Sequence, residues 1–150
     1  LPAFQKAQII CTYISHGTEV DTKKLIQKYT GKKTIVIPHI RKKTGKNRLI
    51  LKELKSAHDL KPHHFGILSI HEKKTPFDAQ KIECTLVPGI AFARNKHRIG
   101  HGHGFYDELL SKISGTKIGL AYACQIHDHI PEATHDVPMD VVITENGLIS

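Results

Sequence analysis

A chain of 150 residues, 39% hydrophobic and 24% charged, has the size and composition of one globular domain with a sizeable core. No apolar run approaches the ~18 residues that cross a bilayer. No charged-then-apolar leader opens the chain either, so the cytoplasm is the expected location and a membrane is not an expected partner. The net charge of +8 favours anionic partners such as nucleotides, polyglutamates or nucleic acid, or else reports only a solvated basic surface.

Short apolar runs alternate with helical patterns along the chain, which predicts an α/β architecture. "IICTYIS", residues 9–15, reads as a strand. "TEVDTKKLIQKYTG" reads as a helix, with Leu25, Ile26 and Tyr29 at helical spacing and a stop at Gly31. "KKTIVIPHI" has the continuous apolar centre of a strand covered on both faces. "NRLILKEL" alternates and reads as a strand nearer an edge. "SAHDLKPHHFG" reads as a short helix or loop broken at Pro62. "ECTLVPG" is a buried strand ending in a Pro-Gly turn. "GFYDELLSKISG" is a helix whose face carries Phe105, Leu109, Leu110 and Ile113, ending at Gly115. A strand over 116–126 and the strand in "MDVVITENG" complete the sheet. The connection between them, 127–139, is rich in His, Asp and Pro.

The lysine pairs at 23, 32, 42 and 73 are scattered, and the sparse aromatics do not alternate with them as a single-strand-binding groove requires. Cys11, Cys84 and Cys124 each sit in an apolar segment with no CxxC, as reduced structural thiols do.

The stretch "RIGHGHGFYDELL" carries the most chemistry. Gly100, Gly102 and Gly104 lie between a strand-turn and a helix, where glycine permits φ > 0 and close approach of a phosphate to backbone N–H groups. A helix N-terminus adds free donors, and Arg98 a fork of charged ones. On spacing alone a tight structural turn explains the glycines equally well. The GK[ST] ending of a Walker loop is absent. His101 and His103 would point the same way on a strand, but no His or Cys set has the spacing of a zinc site.

Asp107 falls in the first helical turn after the loop, where it either ligates a magnesium ion on nucleotide phosphates or complements the helix dipole. Asp136 and Asp140 flank "VPM" in the late loop, and either is a candidate second carboxylate or a cap. Glu19, after the first strand, either faces a cleft or merely precedes a helix.

Together these segments resemble one family. "LVPGIAFARNKHRIGHGHGFYDELL" is similar to the VPGxAFxxxxxRxGxGxGYYD signature of 5-formyltetrahydrofolate cyclo-ligases. "YISHGTEVDTKKLI" and "IGLAYACQIHDHIPEATHDVPMDVVITE" resemble the family's first strand and its C-terminal end, in the same order. The resemblance implies a Rossmann-like three-layer α/β/α sandwich with a mostly parallel sheet, related to the CoA-transferase fold. It implies conversion of 5-formyltetrahydrofolate to 5,10-methenyltetrahydrofolate in one-carbon metabolism, with ATP as co-substrate and Mg²⁺ as cofactor. The formyl oxygen attacks the γ-phosphate, N10 closes the ring, and phosphate leaves.

By the same resemblance, Arg98, Ile99, Gly100, His101, Gly102, His103, Gly104, Phe105 and Tyr106 hold ATP. His101, Gly102, His103, Gly104 and Phe105 also border the folate. Glu19 contacts the folate near the formyl group and Ile14 lines an apolar pocket, so Glu19, Arg98 and Tyr106 are the expected catalytic set. Asp107 and Asp136 match the magnesium-binding acids.

The expected partner is a folate, polyglutamylated or not, bound by a monomer; nucleic acid is not expected. Glu108 departs from the family, which has a basic or polar residue there. Family members also begin with a helix, ahead of "LPAFQKAQII", whose Lys and Arg serve ATP. The expectation is a single domain over residues 1–150, with that helix upstream of Leu1 in the natural polypeptide. The alternatives are a divergent member that binds folate or nucleotide without turnover, favoured by Glu108 and the absent basic pair, and an RNA-associated α/β protein, favoured only by the charge.

Overall fold

The structure, a computed structural model, describes residues 1–41, 48–56, 59–62, 68–70, 75–102 and 104–150, with the backbone alone for 61–62 and 68–70. The described strands begin with β1 (Ile9–Cys11), β2 (Thr34–Arg41) and β3 (Arg48–Leu54). β4 (Leu60–Pro62) and β5 (Leu68–Ile70) form a separate antiparallel pair. Then come β6 (Cys84–Val87), β7 (Ala91–Ala93), β8 (Arg98–Ile99), β9 (Thr116–Leu120), β10 (Ile126–His127), β11 (Val141–Thr144) and β12 (Gly147–Ile149). The α-helices are α1 (Pro2–Lys6), α2 (Lys23–Tyr29) and α3 (Phe105–Leu110).

Seven strands form one sheet in the order β12-β11-β9-β6-β1-β2-β3. The five inner strands run parallel, and β3 and β12 are antiparallel edges. A parallel sheet must be covered on both faces, and the strand chemistry fits: all four residues of β6 are buried. Successive residues feed opposite faces. Ile10, Ile35, Ile37 and Leu54 join one cluster with Ile26 of α2. Cys11, Val36 and Leu51 join another with Leu109 of α3 and Ile113. Each such fully buried aliphatic side chain contributes ~1.5–3 kcal/mol over leaving it in water. The result is the α/β architecture expected from the alternating pattern, in the three layers that the family resemblance implies. Phe4 of α1 meets Tyr29 of α2 edge-on, with centroids 5.2 Å apart, which fastens the N-terminal turn to the same layer.

From β1 the chain moves to β2 on one side, then returns to β6 on the other. The strand order therefore reverses between β1 and β6, and the crevice beyond their carboxyl ends is where open α/β sheets bind ligands. Among the described residues, no helix is long and apolar enough to cross a membrane.

Several elements differ from the sequence reading. The first strand ends at Cys11 instead of 15; Thr12 N–H still reaches Val36 at 2.9 Å, and the chain then leaves the sheet. Residues 60–62 form strand β4 where a short helix or loop was expected. α3 stops at Leu110, and Lys112 and Ile113 continue it only as tight turns onto Leu109 and Leu110. Gly115 answers to packing: a Cβ there would lie 2.4 Å from the Ile82 carbonyl oxygen. The strand expected over 116–126 ends at Leu120 and resumes as β10, which pairs with β7 in a small second sheet, β10-β7-β8.

Candidate functional site

Three connections leave the carboxyl ends of β1, β6 and β9 on one edge of the sheet, and the residues singled out in the sequence lie on them or on β8 and α3 within the second. The first, 12–22, is stitched to itself. Tyr13 OH donates to Val20 O at 2.8 Å, and Thr22 Oγ1 to Tyr13 O at 2.6 Å. Glu19 is held by a turn in which its carboxylate accepts the His16 N–H at 2.8 Å. Ile14 is half-buried and packs on the first core cluster, as an apolar pocket wall would.

The second loop, after β6, forms the hairpin β7–β8 and then the glycine stretch. Gly102 has φ 78° and Gly104 has φ 65°, a conformation that L side chains rarely adopt. The N–H groups of Gly100, His101 and Gly102 donate to no other group among the described residues, and Gly102 faces open space. A row of unused amides on a glycine loop is what an anion requires. The helix contributes less than the sequence suggested, because α3 has only six residues. His101 is exposed, and His103 lies outside the described residues. Among the described residues, no three His, Cys, Asp or Glu side chains gather into a metal-holding group. Ile99 and Phe105 are half-buried at the two ends of the stretch.

Arg98 is the most constrained charge in this loop. Its side chain is 3% exposed, and Nη2 donates to Asp107 Oδ1 at 2.9 Å. Its guanidinium stacks 5.4 Å from the centroid of Tyr106, while its Nε is buried without a hydrogen-bond partner among the described residues. A buried guanidinium with an unused donor is poised to take a further acceptor. Burial, then the neighbouring Cys11 and Glu19, push the Tyr106 hydroxyl well above its ordinary range, against the opposing effect of Arg98. Tyr13 moves the same way, by burial first and then by Glu19, Tyr122 and Asp21. Both phenols are neutral at physiological pH, and Glu19 lies within electrostatic reach of both.

The third region runs from Tyr122 to Asp140. Val137 N–H approaches Asp107 Oδ1 at 3.4 Å, so the late loop meets the glycine loop at this acid. Asp107 Oδ2 receives no hydrogen bond from the described residues. Asp136 caps its own turn, with Oδ2 accepting Ala133 N–H at 2.7 Å. The two carboxylates thus lie on touching segments without sharing a partner. Two acids on adjoining loops, one with an unused oxygen, fit a hard cation that takes one or two carboxylates plus phosphate oxygens. Asp140 is engaged elsewhere: its carboxylate accepts Lys117 N–H at 2.7 Å and its own N–H returns to Lys117 O, tying the loop's end to β9.

Two expectations change. Cys124 is exposed in a short 3-10 turn (Ala123–Gln125), unlike the buried Cys11 and Cys84, although all three are free thiols. Glu108, the departure from the family pattern, is exposed and pairs with Lys112 at 2.9 Å one turn on, so solvent and a cation both damp its field. Sequence reasoning missed Tyr13, Tyr122 and Gln125, which have no motif of their own; their positions after strand ends are the only signal.

Comparison with known proteins places the fold and the family. The chain superimposes on the NMR structure of Aquifex aeolicus 5,10-methenyltetrahydrofolate synthetase with a TM-score of 0.82 and 30% identity, covering 99% of this chain and 74% of that one. It is 29% identical to the Haemophilus influenzae 5-formyltetrahydrofolate cyclo-ligase, over 93% of this chain and 77% of the relative. The corresponding Escherichia coli cyclo-ligase is 26% identical, over 95% of this chain and 81% of its own length. The model of the 5-formyltetrahydrofolate cyclo-ligase family matches residues 1–145, and the chain belongs to that family.

Proposed function

We propose that this protein cyclises 5-formyltetrahydrofolate to 5,10-methenyltetrahydrofolate at the expense of ATP. The observation that carries the reading is the convergence of the Glu19 loop, the Arg98–Tyr106–Asp107 group and the unpaired amides of the glycine loop at one sheet edge. The amides and Arg98 hold phosphate oxygens, and the folate lies between Ile14 and Glu19. The formyl oxygen attacks the γ-phosphorus and ADP departs. N10 then attacks the activated formyl carbon, and phosphate leaves as the ring closes. Phosphoryl transfer of this kind depends mostly on positioning and charge neutralisation. Arg98 supplies a fixed positive fork, and Tyr106 supplies a hydroxyl that is neutral at physiological pH. Asp107 and Asp136 would hold Mg²⁺, which when bound neutralises charge on the phosphate oxygens. Three free cysteines support a reducing, cytoplasmic setting. The protein acts as a monomer on free or polyglutamylated folate.

The test follows the absorbance of the methenyl product from 5-formyltetrahydrofolate with and without ATP. ATP-dependent, magnesium-dependent product formation is expected. Tight binding of folate or nucleotide with no product would replace this reading by the non-catalytic one.

A further inference from the structure

Gln125 spends both ends of its side chain on backbone. Its Oε1 accepts Tyr122 N–H at 2.8 Å, while its Nε2 donates to Gly89 O at 2.9 Å and Ile90 O at 3.1 Å. The bonds join the loop after β9 to the turn after β6, residues 35 and 36 apart in sequence. A hydrogen-bond path continues from there: Ile90 N–H donates to Ile99 O at 2.8 Å, and Ile99 directly follows Arg98 and opens the glycine loop. On the other side, Tyr122 lies within electrostatic reach of Tyr13, which in turn feels Glu19.

Only a primary amide of this length offers an acceptor and a two-hydrogen donor at once. A glutamate would keep the bond to Tyr122 but turn an oxygen toward two carbonyl oxygens. The hydrogen bonds tie the loop after β9 to the base of the glycine loop, and Tyr122, at the end of that path, faces the field of the Tyr13 and Glu19 loop.

We infer that Gln125 is a positioning residue that fixes the register of the glycine loop against the Glu19 pocket. This rests on the proposed reaction, in which two substrates held by separate loops must meet at one phosphorus. Gln125 touches neither; it acts through Gly89, Ile90 and Tyr122. Reactions of this kind are steep in distance, with a misplacement of about 1 Å costing up to ~100-fold.

The test compares Gln125→Glu and Gln125→Met with the wild-type protein. For both, kcat is expected to fall at least ~10-fold, with the affinity for ATP alone and for 5-formyltetrahydrofolate alone changed less than ~3-fold. In Gln125→Glu, protonation restores an O–H donor, so kcat relative to wild type should climb as the pH is lowered. In Gln125→Met, hydrogen exchange of the Ile90 N–H, which donates to Ile99 O, should quicken, a readout that needs no turnover. Unchanged exchange there, or full kcat per folded molecule in both variants, would overturn the inference. A wild-type protein that makes no product refutes the proposed reaction instead, and the exchange measurement then still decides whether Gln125 sets the loop.

Discussion

Arg98 is buried to 3% side-chain exposure, and burial makes its partners matter more than its charge alone. Removing one member of a buried ion pair strands the other, which costs ~3–5 kcal/mol, whereas an exposed pair such as Lys112–Glu108 is worth ~1 kcal/mol or less. Lysine at position 98 would keep the charge but lose the planar fork that bonds Asp107, and also the face that stacks on Tyr106. Arg98→Lys is therefore expected to fold, to melt a few degrees lower, and to lower kcat/KM for ATP at least ~30-fold, about 2 kcal/mol of transition-state stabilisation. Steady-state kinetics with ATP varied, beside a thermal melt, checks both parts. An unchanged kcat/KM for ATP would mean that the guanidinium serves only Asp107.

The glycine loop and the helix after it are the elements whose local rules were most legible, and their failures are informative. The alternation of glycines pointed to positive φ, and Gly102 and Gly104 have it. A valine at Gly102 would be strained whatever the ligand did, so it cannot separate strain from blocked phosphate approach. Gly100 offers a cleaner test. Its φ is not positive, but an added Cβ would lie 2.8 Å from Arg98 Nη1 and push the guanidinium aside. Gly100→Ala is expected to leave the fold intact and to weaken ATP binding ~10-fold, a shift of about 1.4 kcal/mol. Calorimetry with ATP reads it, and an affinity within twofold of wild type would detach Arg98 from the nucleotide. The parallel core was legible because "CTLV" and "TIVI" are apolar but for one threonine each, as strands covered on both faces read. The small sheet β10-β7-β8 was not, because two- and three-residue strands carry no periodicity to read. The end of α3 was misjudged for a related reason. Leu109, Leu110 and Ile113 share the apolar spacing of a helix, but Ile113 reaches the core from a turn.

At the scale of the whole molecule, the site is assembled from segments that are far apart in sequence and joined only by topology. Glu19, Asp107 and Asp136 follow β1, β6 and β9 respectively, and parallel strands deliver all three to one edge. Residue chemistry alone could not choose between Asp136 and Asp140, since both flank the same three residues, Val137, Pro138 and Met139. The fold separates their tasks: Asp140 is bonded twice to the backbone of Lys117, while the residue after Asp136 approaches Asp107. Replacing Asp107 by Asn keeps its shape, and replacing Asp136 by Ala removes a capping carboxylate that faces a loop. If these two acids hold the cation, each change should cut turnover ~100-fold or more, roughly 3 kcal/mol of lost stabilisation. Each should also raise the Mg²⁺ concentration needed for half-maximal rate, with folate binding preserved because Ile14 and Glu19 remain. Asp140→Ala is the opposite case. It releases the loop from β9, so it should lower the melting temperature and leave the magnesium dependence of the folded fraction unchanged. A magnesium titration of the three variants separates the assignments. If Asp140→Ala alone shifts the titration, the second acid has been placed four residues too early. If none of the three shifts it, the carboxylates at this edge hold the loops together and the cation is held elsewhere.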